Sequence, residues 1–306
     1  MKKMNIAGAV LKMALLGGVV FGCRQEETLM PQSEQNVAAE DQNAKVNATS
    51  IQLLSDGPVE LKYNTRGRNA GKLWKVIVND VNPAASYYQV FDYSDLLIVK
   101  TTYKSLDNTK VGEVHYTLSL SGLCTKSKNL STGATYIYEY NELNQITKIY
   151  NEASPNARSE FQYLADQVGA YQSLFKVHLF NGSNVKYKEI SYGYQGMGEG
   201  VETVKADKYR INLVAEKQEI PGLSDIYLPI FGKFNTNLLK QVSVKPFPYT
   251  GQVVSAIKYF YELESDGLVK TRTRVAFANG LTSNSTGTDY VHGLKYLVPL
   301  MQPGGI

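Results

Sequence analysis

Few side chains in this 306-residue chain have the type and spacing to do chemistry. His115, His178 and His292 lie on separate segments, so no metal-ligand spacing joins them. The expected role of each is a hydrogen-bonded structural imidazole. No Gly-x-Ser-x-Gly elbow and no recognisable pair of catalytic carboxylates occurs. Cys124 closes the stretch Leu118-Ser-Leu-Ser-Gly-Leu-Cys124 with neither a basic neighbour nor a helix start beside it. A thiolate needs one or the other, so a buried, inert thiol is expected there. The alternating glycines of Gly193-Tyr-Gln-Gly-Met-Gly-Glu-Gly200 are of the kind that cradles a phosphate. No Lys-Ser/Thr follows and no helical pattern opens, so a hairpin tip is expected instead. Tyr192 and Tyr194, beside that stretch, are the candidate ligand-binding residues. A tyrosine offers a flat face for stacking and a hydroxyl for hydrogen bonding. No catalytic residue, metal or cofactor is expected, and the chain reads as a non-enzyme.

The other cysteine sits in a different context. Met1-Lys-Lys-Met opens with positive charge, and an apolar run from Met13 to Phe21 follows. The run is short of the ~20 residues a spanning helix needs, and fits a signal-peptide core. It ends Val20-Phe-Gly-Cys23, which resembles the lipobox of bacterial lipoproteins. The resemblance implies cleavage before Cys23 and acylation of its thiol. Each buried acyl methylene contributes about 0.8 kcal/mol, so two or more chains hold a protein on a membrane stably. Arg24 follows, where an inner-membrane retention signal has Asp. Glu26 and Glu27 resemble the surface-export signal of Bacteroidetes lipoproteins. The expected address is the outer membrane, lipid-anchored, with the cell surface favoured over the periplasmic face.

Composition limits the partners. Removing Lys2, Lys3 and Lys12 with the signal from the 32 basic residues leaves 29 against 28 acidic ones. A near-neutral body argues against nucleic acid, which rewards a basic face. With Cys124 the only thiol beyond Cys23, no internal disulfide can form. Residues 23–50 are rich in Gln, Glu, Asn, Ala and Asp, and read as a disordered tether after the 1–22 signal. The body is expected to run over 51–306.

The elements of that body are strands. Tyr136, Tyr138 and Tyr140 alternate with Ile137 and Glu139, the period of a strand with one packed face. Asn141 to Asn144 supply the turn and Ile146 to Tyr150 return, which makes one hairpin. Similar hairpins are expected at Val59–Tyr63 with Lys72–Val78, and at Tyr87–Phe91 with Leu96–Tyr103. Leu174–Phe180 with Val185–Tyr194 turns on Asn181-Gly182, and Ile257–Leu263 with Leu268–Phe277 turns on Gly267. Val111–Leu120, Ser159–Leu164 and Tyr290–Val298 read as further strands. The span from Pro221 to Pro248 is the least strand-like, with one short helix expected at 235–240. Trp74 is expected in the core. The fold class is all-β: one large antiparallel meander, curled or closed into a barrel-like sheet, since closure removes exposed edges.

The phrase Tyr138-Glu-Tyr-Asn-Glu-Leu-Asn-Gln-Ile-Thr-Lys-Ile149 resembles the tyrosine–aspartate repeat of Rhs-type shells, with Asn141 and Asn144 in place of its Asp and Gly. Over the whole body the order of elements is similar to a family of Bacteroidetes outer-membrane lipoproteins of unknown function, described as porin-like in fold. That order takes in the lipobox, the Tyr-rich hairpins, Tyr209-Arg-Ile-Asn-Leu213 and Leu228-Pro-Ile-Phe-Gly-Lys-Phe-Asn-Thr-Asn-Leu-Leu-Lys240. The resemblance implies fold and address, and no catalytic residues. Lys186, Lys188 and Glu189 fall on both faces of one strand, against the continuous apolar outer band of a membrane-spanning barrel. The expected function is a membrane-anchored binding module for a glycan or an envelope protein. The alternative is a periplasmic carrier or assembly factor holding a lipid or small apolar ligand; a large apolar interior would favour it, and an aromatic surface cleft would favour the binder.

Overall fold

In the computed structural model, residues 51–165, 172–194, 220–235, 238–248, 255–277 and 287–297 are described. The expected signal and tether, Tyr209–Leu213 and most of the glycine-rich stretch lie outside them. The alternating segments become sixteen antiparallel strands. The first eight are β1 (Gln52–Asp56), β2 (Val59–Tyr63), β3 (Leu73–Val78), β4 (Tyr87–Tyr93), β5 (Leu97–Lys104), β6 (Lys110–Leu118), β7 (Cys124–Asn129) and β8 (Thr135–Tyr140). The rest are β9 (Ile146–Asn151), β10 (Ser154–Ala165), β11 (Gln172–Phe180), β12 (Lys186–Gly193), β13 (Gln241–Pro246), β14 (Ser255–Leu263), β15 (Val269–Phe277) and β16 (Gly287–Leu297). Each pairs with its neighbours in sequence, and β16 pairs with β1, so the meander closes into a barrel without edges.

The turn chemistry follows the sequence closely. Asn144 takes the left-handed conformation (φ 59°) at the β8–β9 turn. At the β11–β12 turn that conformation falls on Asn184 (φ 61°), while Asn181 caps the loop by accepting from the Ser183 and Val185 amides. Three strands escape the sequence pattern: β1, β7 and β13. Cys-Thr-Lys-Ser-Lys-Asn129 alternates small or polar residues, and β13 lies inside the proline-rich span. The short helix expected at 235–240 is not formed at Asn235 or at 238–240, while 236 and 237 lie outside the described residues.

A sixteen-strand wall encloses more space than wall side chains fill. The chain fills it with itself. Residues 220–235 and 238–239, between β12 and β13, run inside the barrel and bury Ile220, Leu223, Leu228, Phe231, Phe234 and Leu239. They meet wall residues such as Tyr116, Tyr138, Phe161 and Ile149. Phe231 packs edge-on to Tyr116 at 6.0 Å and tilted against Tyr138 at 5.5 Å. Backbone bonds fix the segment to the wall, from Cys124 N–H to Ile230 O (2.8 Å) and from Leu174 N–H to Phe234 O (2.6 Å). Two glycines let it approach. Gly232 (φ 75°) leaves only 2.0 Å between an ideal Cβ and Asn144 O, and Gly222 (φ 84°) leaves 2.9 Å to Tyr136 Cγ.

The outer wall is charged. Glu139 and Lys148 alternate with buried Tyr138 and Ile149, so they face outward, 3.4 Å apart. Lys176 and Glu189 pair at 3.2 Å on the neighbouring strands β11 and β12. Trp74 also lies on the surface, 43% exposed, because a side chain beside inward Leu73 points out.

Candidate functional site

The two ends of the barrel are built differently. Where odd-numbered strands begin, a ring of apolar residues is buried: Leu53, Leu73, Ile98, Cys124, Ile146 and Leu174. A tyrosine at or near the end of an even-numbered strand clasps this ring by donating its hydroxyl to a ring carbonyl. Among the described residues four do so, and Tyr261 and Tyr296 make the same bond to Leu239 and Val269. Tyr63 donates to Leu53 O (2.8 Å), Tyr93 to Leu73 O (2.7 Å) and Tyr140 to Cys124 O (2.7 Å). Tyr194 donates to Leu174 O (2.8 Å), Tyr261 to Leu239 O (2.6 Å) and Tyr296 to Val269 O (3.0 Å). Burial raises the Tyr63 hydroxyl to about 12, against the weaker pull of its Leu53 bond. Cys124 stands in the ring where other strands have Leu or Ile, and burial pushes its thiol up.

This places the two tyrosines singled out in the sequence. Tyr194 is one of the clasps. Tyr192 is 4% exposed and packs in the core, its hydroxyl without a partner among the described residues. Tyr192 presents no face to an open surface, and Tyr194 is partly buried against the core.

Two buried ion-pair clusters hold the interior segment and the wall. Lys100 Nζ on β5 lies 2.8 and 2.9 Å from the two oxygens of Asp225, which also accepts from the Tyr116 hydroxyl. Asp56, at the end of β1, accepts from Arg272 Nη2 at 2.9 and 2.7 Å, from His292 Nδ1 at 2.9 Å and from the Tyr227 hydroxyl at 2.9 Å. Burial opposes ionisation of Asp56, but the His292 bond and the Arg272 guanidinium outweigh it and hold the carboxyl below its ordinary range. The other histidines also meet carboxylates, His115 with Glu113 at 2.8 Å and His178 with Glu189 at 3.0 Å. All three thus have the structural hydrogen bond expected of them.

The opposite end, where even-numbered strands begin, is hollowed among the described residues. Two hollows lie there on either side of residues 221–228. The first, about 460 Å³, is walled by β8 to β12 and by Pro221. Tyr136, Phe180 and Tyr187 supply its aromatic faces, and Asn151, Asn181 and Arg158 its hydrogen-bonding groups. Arg158 Cζ lies over the Phe180 ring, 4.0 Å from its centre, and the side chain bonds Glu160 at 2.6 Å. The second hollow, about 400 Å³, lies between β2–β4, β15–β16 and Ser224–Leu228, over the Asp56 cluster. No group of three metal-ligating side chains occurs among the described residues.

Pattern reading missed the residues of the first hollow because they come together from five strands and from Pro221, far apart in the chain. One signal was present. Tyr136 and Tyr187 each stand second in an even-numbered strand, as Tyr87 stands first in β4, and that position lies at the end where both hollows are found.

No protein-family model matches the chain, and no curated protein matches it. Among solved structures it is similar to a porin-like protein from Bacteroides uniformis ATCC 8492, with 16% identity and TM-score 0.39 over 78% of this chain and 88% of that one. It is similar to a porin-like protein from Bacteroides vulgatus ATCC 8482, with 14% identity and TM-score 0.47 over 81% and 98%. It is also similar to the N-terminal domain of the effector protein SpvB from Salmonella typhimurium strain LT2, with 10% identity and TM-score 0.25 over 79% and 74%.

Proposed function

We propose that the chain is a lipid-anchored, non-catalytic module of the cell envelope that binds a glycan in the cleft between β8 and β12. The observation that carries this reading is the lining of that cleft. Tyr136, Phe180 and Tyr187 offer apolar faces to the C–H side of a sugar ring, and Asn151, Asn181 and Arg158 offer hydrogen bonds to its hydroxyls. The carrier reading is less well supported, since residues 220–235, 238 and 239 occupy the interior that a lipid would need.

The anchor is assigned to acylated Cys23, on its lipobox. The charged outer wall favours a barrel that stands in water on a tether rather than in lipid. A lipid-facing Lys or Arg costs about 2–4 kcal/mol at the bilayer midplane, and Lys148, Lys176 and their carboxylates lie along the wall. Placement on the outer membrane, with the cell surface favoured, rests on Glu26 and Glu27. The non-catalytic assignment is supported by a buried, high-pKa Cys124 and by histidines engaged with carboxylates.

Full-length protein applied to an array of bacterial and host glycans tests the binding, and labelling of cells with a palmitate analogue tests the anchor. The reading expects retention on a subset of glycans, and a label that disappears in Cys23→Ala. Retention on none of them would overturn the binding role, and a label unchanged in Cys23→Ala would overturn the anchor.

A further inference from the structure

The second hollow has a chemistry of its own. Its depth is lined by side chains that are both buried and polar: Arg272 is 2% exposed and lies against Asp56, which is fully buried. Asp225 borders the hollow from the interior segment and is engaged by Lys100 and Tyr116. Each carboxylate therefore already has a cation and a hydroxyl. A charged ligand would shed its hydration and find the opposite charges committed, which disfavours it in a low-dielectric recess.

An uncharged polar ligand meets different conditions. The Asp56 carboxylate can only accept, so His292 donates from Nδ1, and in the neutral ring Nε2 carries an acceptor lone pair. Tyr290 stacks on that ring at 3.8 Å and fixes its plane, while accepting from Arg272 Nε at 3.2 Å. Gln89 on β4 and Ser224 on the interior segment add an amide and a hydroxyl from two further sides. Between them Val59, Val76, Val78 and Phe91 form an apolar wall. Apolar faces with a few polar groups converging from fixed positions are the usual build of a small-molecule site, and a volume of about 400 Å³ is at the lower end for such sites.

We propose that the hollow between β2–β4, β15–β16 and Ser224–Leu228 is a second binding site, for a small uncharged polyol or single sugar residue. Such a ligand places its hydroxyls on His292, Gln89 and Ser224 and its C–H face on the valines and Phe91. The site does not depend on glycan binding in the β8–β12 cleft.

The test uses full-length protein purified from envelopes in phosphocholine micelles, observed by ligand-detected saturation-transfer NMR. The probes are glucose and N-acetylglucosamine, both uncharged, with glucuronate and glucosamine as charged counterparts. The expected result is saturation transfer to at least one neutral sugar, with each charged counterpart at least tenfold weaker. Gln89→Leu should weaken binding at least fivefold. Ser224→Trp, at an exposed position, should fill the hollow and abolish binding in protein whose melting curve is unchanged. Tyr187→Ala should leave this binding intact, which separates it from the β8–β12 cleft. Saturation transfer to none of the probes would overturn the proposal. So would a charged sugar binding as tightly as its neutral counterpart, or binding that survives Ser224→Trp.

Discussion

Lys100 on β5 and Asp225 on the interior segment meet inside the barrel, the ammonium 2.8 and 2.9 Å from the two carboxylate oxygens. They are 125 residues apart in sequence and both nearly inaccessible to water. The pair ties the segment that fills the barrel to its wall. Burying two charges is costly, so its net contribution is small while both are present, but removing one leaves the other stranded.

Lys100→Met should therefore cost about 3–5 kcal/mol. Lys100→Met combined with Asp225→Asn should recover most of that, because Asn keeps an acceptor for Tyr116 and carries no charge. Guanidinium unfolding of the two variants measures it. Equal midpoints for the single and double variants would show that the two charges are not coupled.

Asp56 sets an acid limit on stability. Its carboxyl is held below the ordinary value of 3.8, so the folded state favours the ionised form more than the unfolded chain does. That contribution is complete above 3.8 and is lost as pH falls through the lowered value. The melting temperature should drop on going from about pH 5 towards pH 2. Asp56→Asn should be less stable at neutral pH and should show a flatter curve over that window. A slope as steep as that of the unaltered protein would move the titration elsewhere, with Glu189 on the outer wall the first candidate, since its carboxyl is lowered by Lys176 and His178 against the opposing effect of burial.

The clasping tyrosines make a paired prediction. Tyr93→Phe removes a hydroxyl bonded to Leu73 O, and should cost about 0.5–1.5 kcal/mol. Tyr163 ends β10 in the equivalent place, yet its buried hydroxyl has no partner among the described residues. Tyr163→Phe should be neutral or stabilising, since a buried hydroxyl without a partner carries its full desolvation penalty. Equal losses in the two variants, by thermal melting, would contradict the clasp.

Close approach of the interior segment can be tested at glycine. Gly122 and Gly232 both have positive φ, 81° and 75°, but a Cβ on Gly122 meets nothing within 4 Å while one on Gly232 falls 2.0 Å from Asn144 O. Gly122→Ala should cost only the left-handed penalty of about 1–2 kcal/mol. Gly232→Ala must also push backbone apart and should cost clearly more. Matching stabilities would place the segment farther from the β8–β9 turn.

The fold was legible where local rules act alone. Alternation gave the β8–β9 hairpin to within a residue, and Asn144 marked its turn. Closure followed in outline from the need to hide edges. Strands β1 and β7 were not legible, because inward residues such as Gln52, Cys124 and Ser127 do not read as a hydrophobic face, and β13, whose Val242 is inward, is short and sits inside the proline-rich span. The prolines of the 221–248 span read as loop. The place of Leu223, Leu228, Phe231 and Phe234 inside the barrel is a tertiary outcome that no periodicity encodes. Tyr192 and Tyr194 were singled out for their neighbours in sequence, whereas the cleft draws on residues from Tyr136 to Pro221 that meet only when five strands align. The buried clusters at Asp56 and Asp225 were equally hidden, since Asp56 and Arg272 are 216 residues apart.

The central claim is that the aromatic cleft between β8 and β12, and not the buried Tyr192, binds glycan. The most direct measurement is the affinity of full-length protein for an array-selected glycan in two variants, Tyr187→Ala and Tyr192→Phe. Tyr187 is a half-exposed wall of the cleft, and Tyr192 is sealed in the core. The account predicts at least a tenfold loss for Tyr187→Ala, roughly one stacked aromatic face, and no change for Tyr192→Phe. Unchanged affinity in Tyr187→Ala, or a loss confined to Tyr192→Phe, would contradict it.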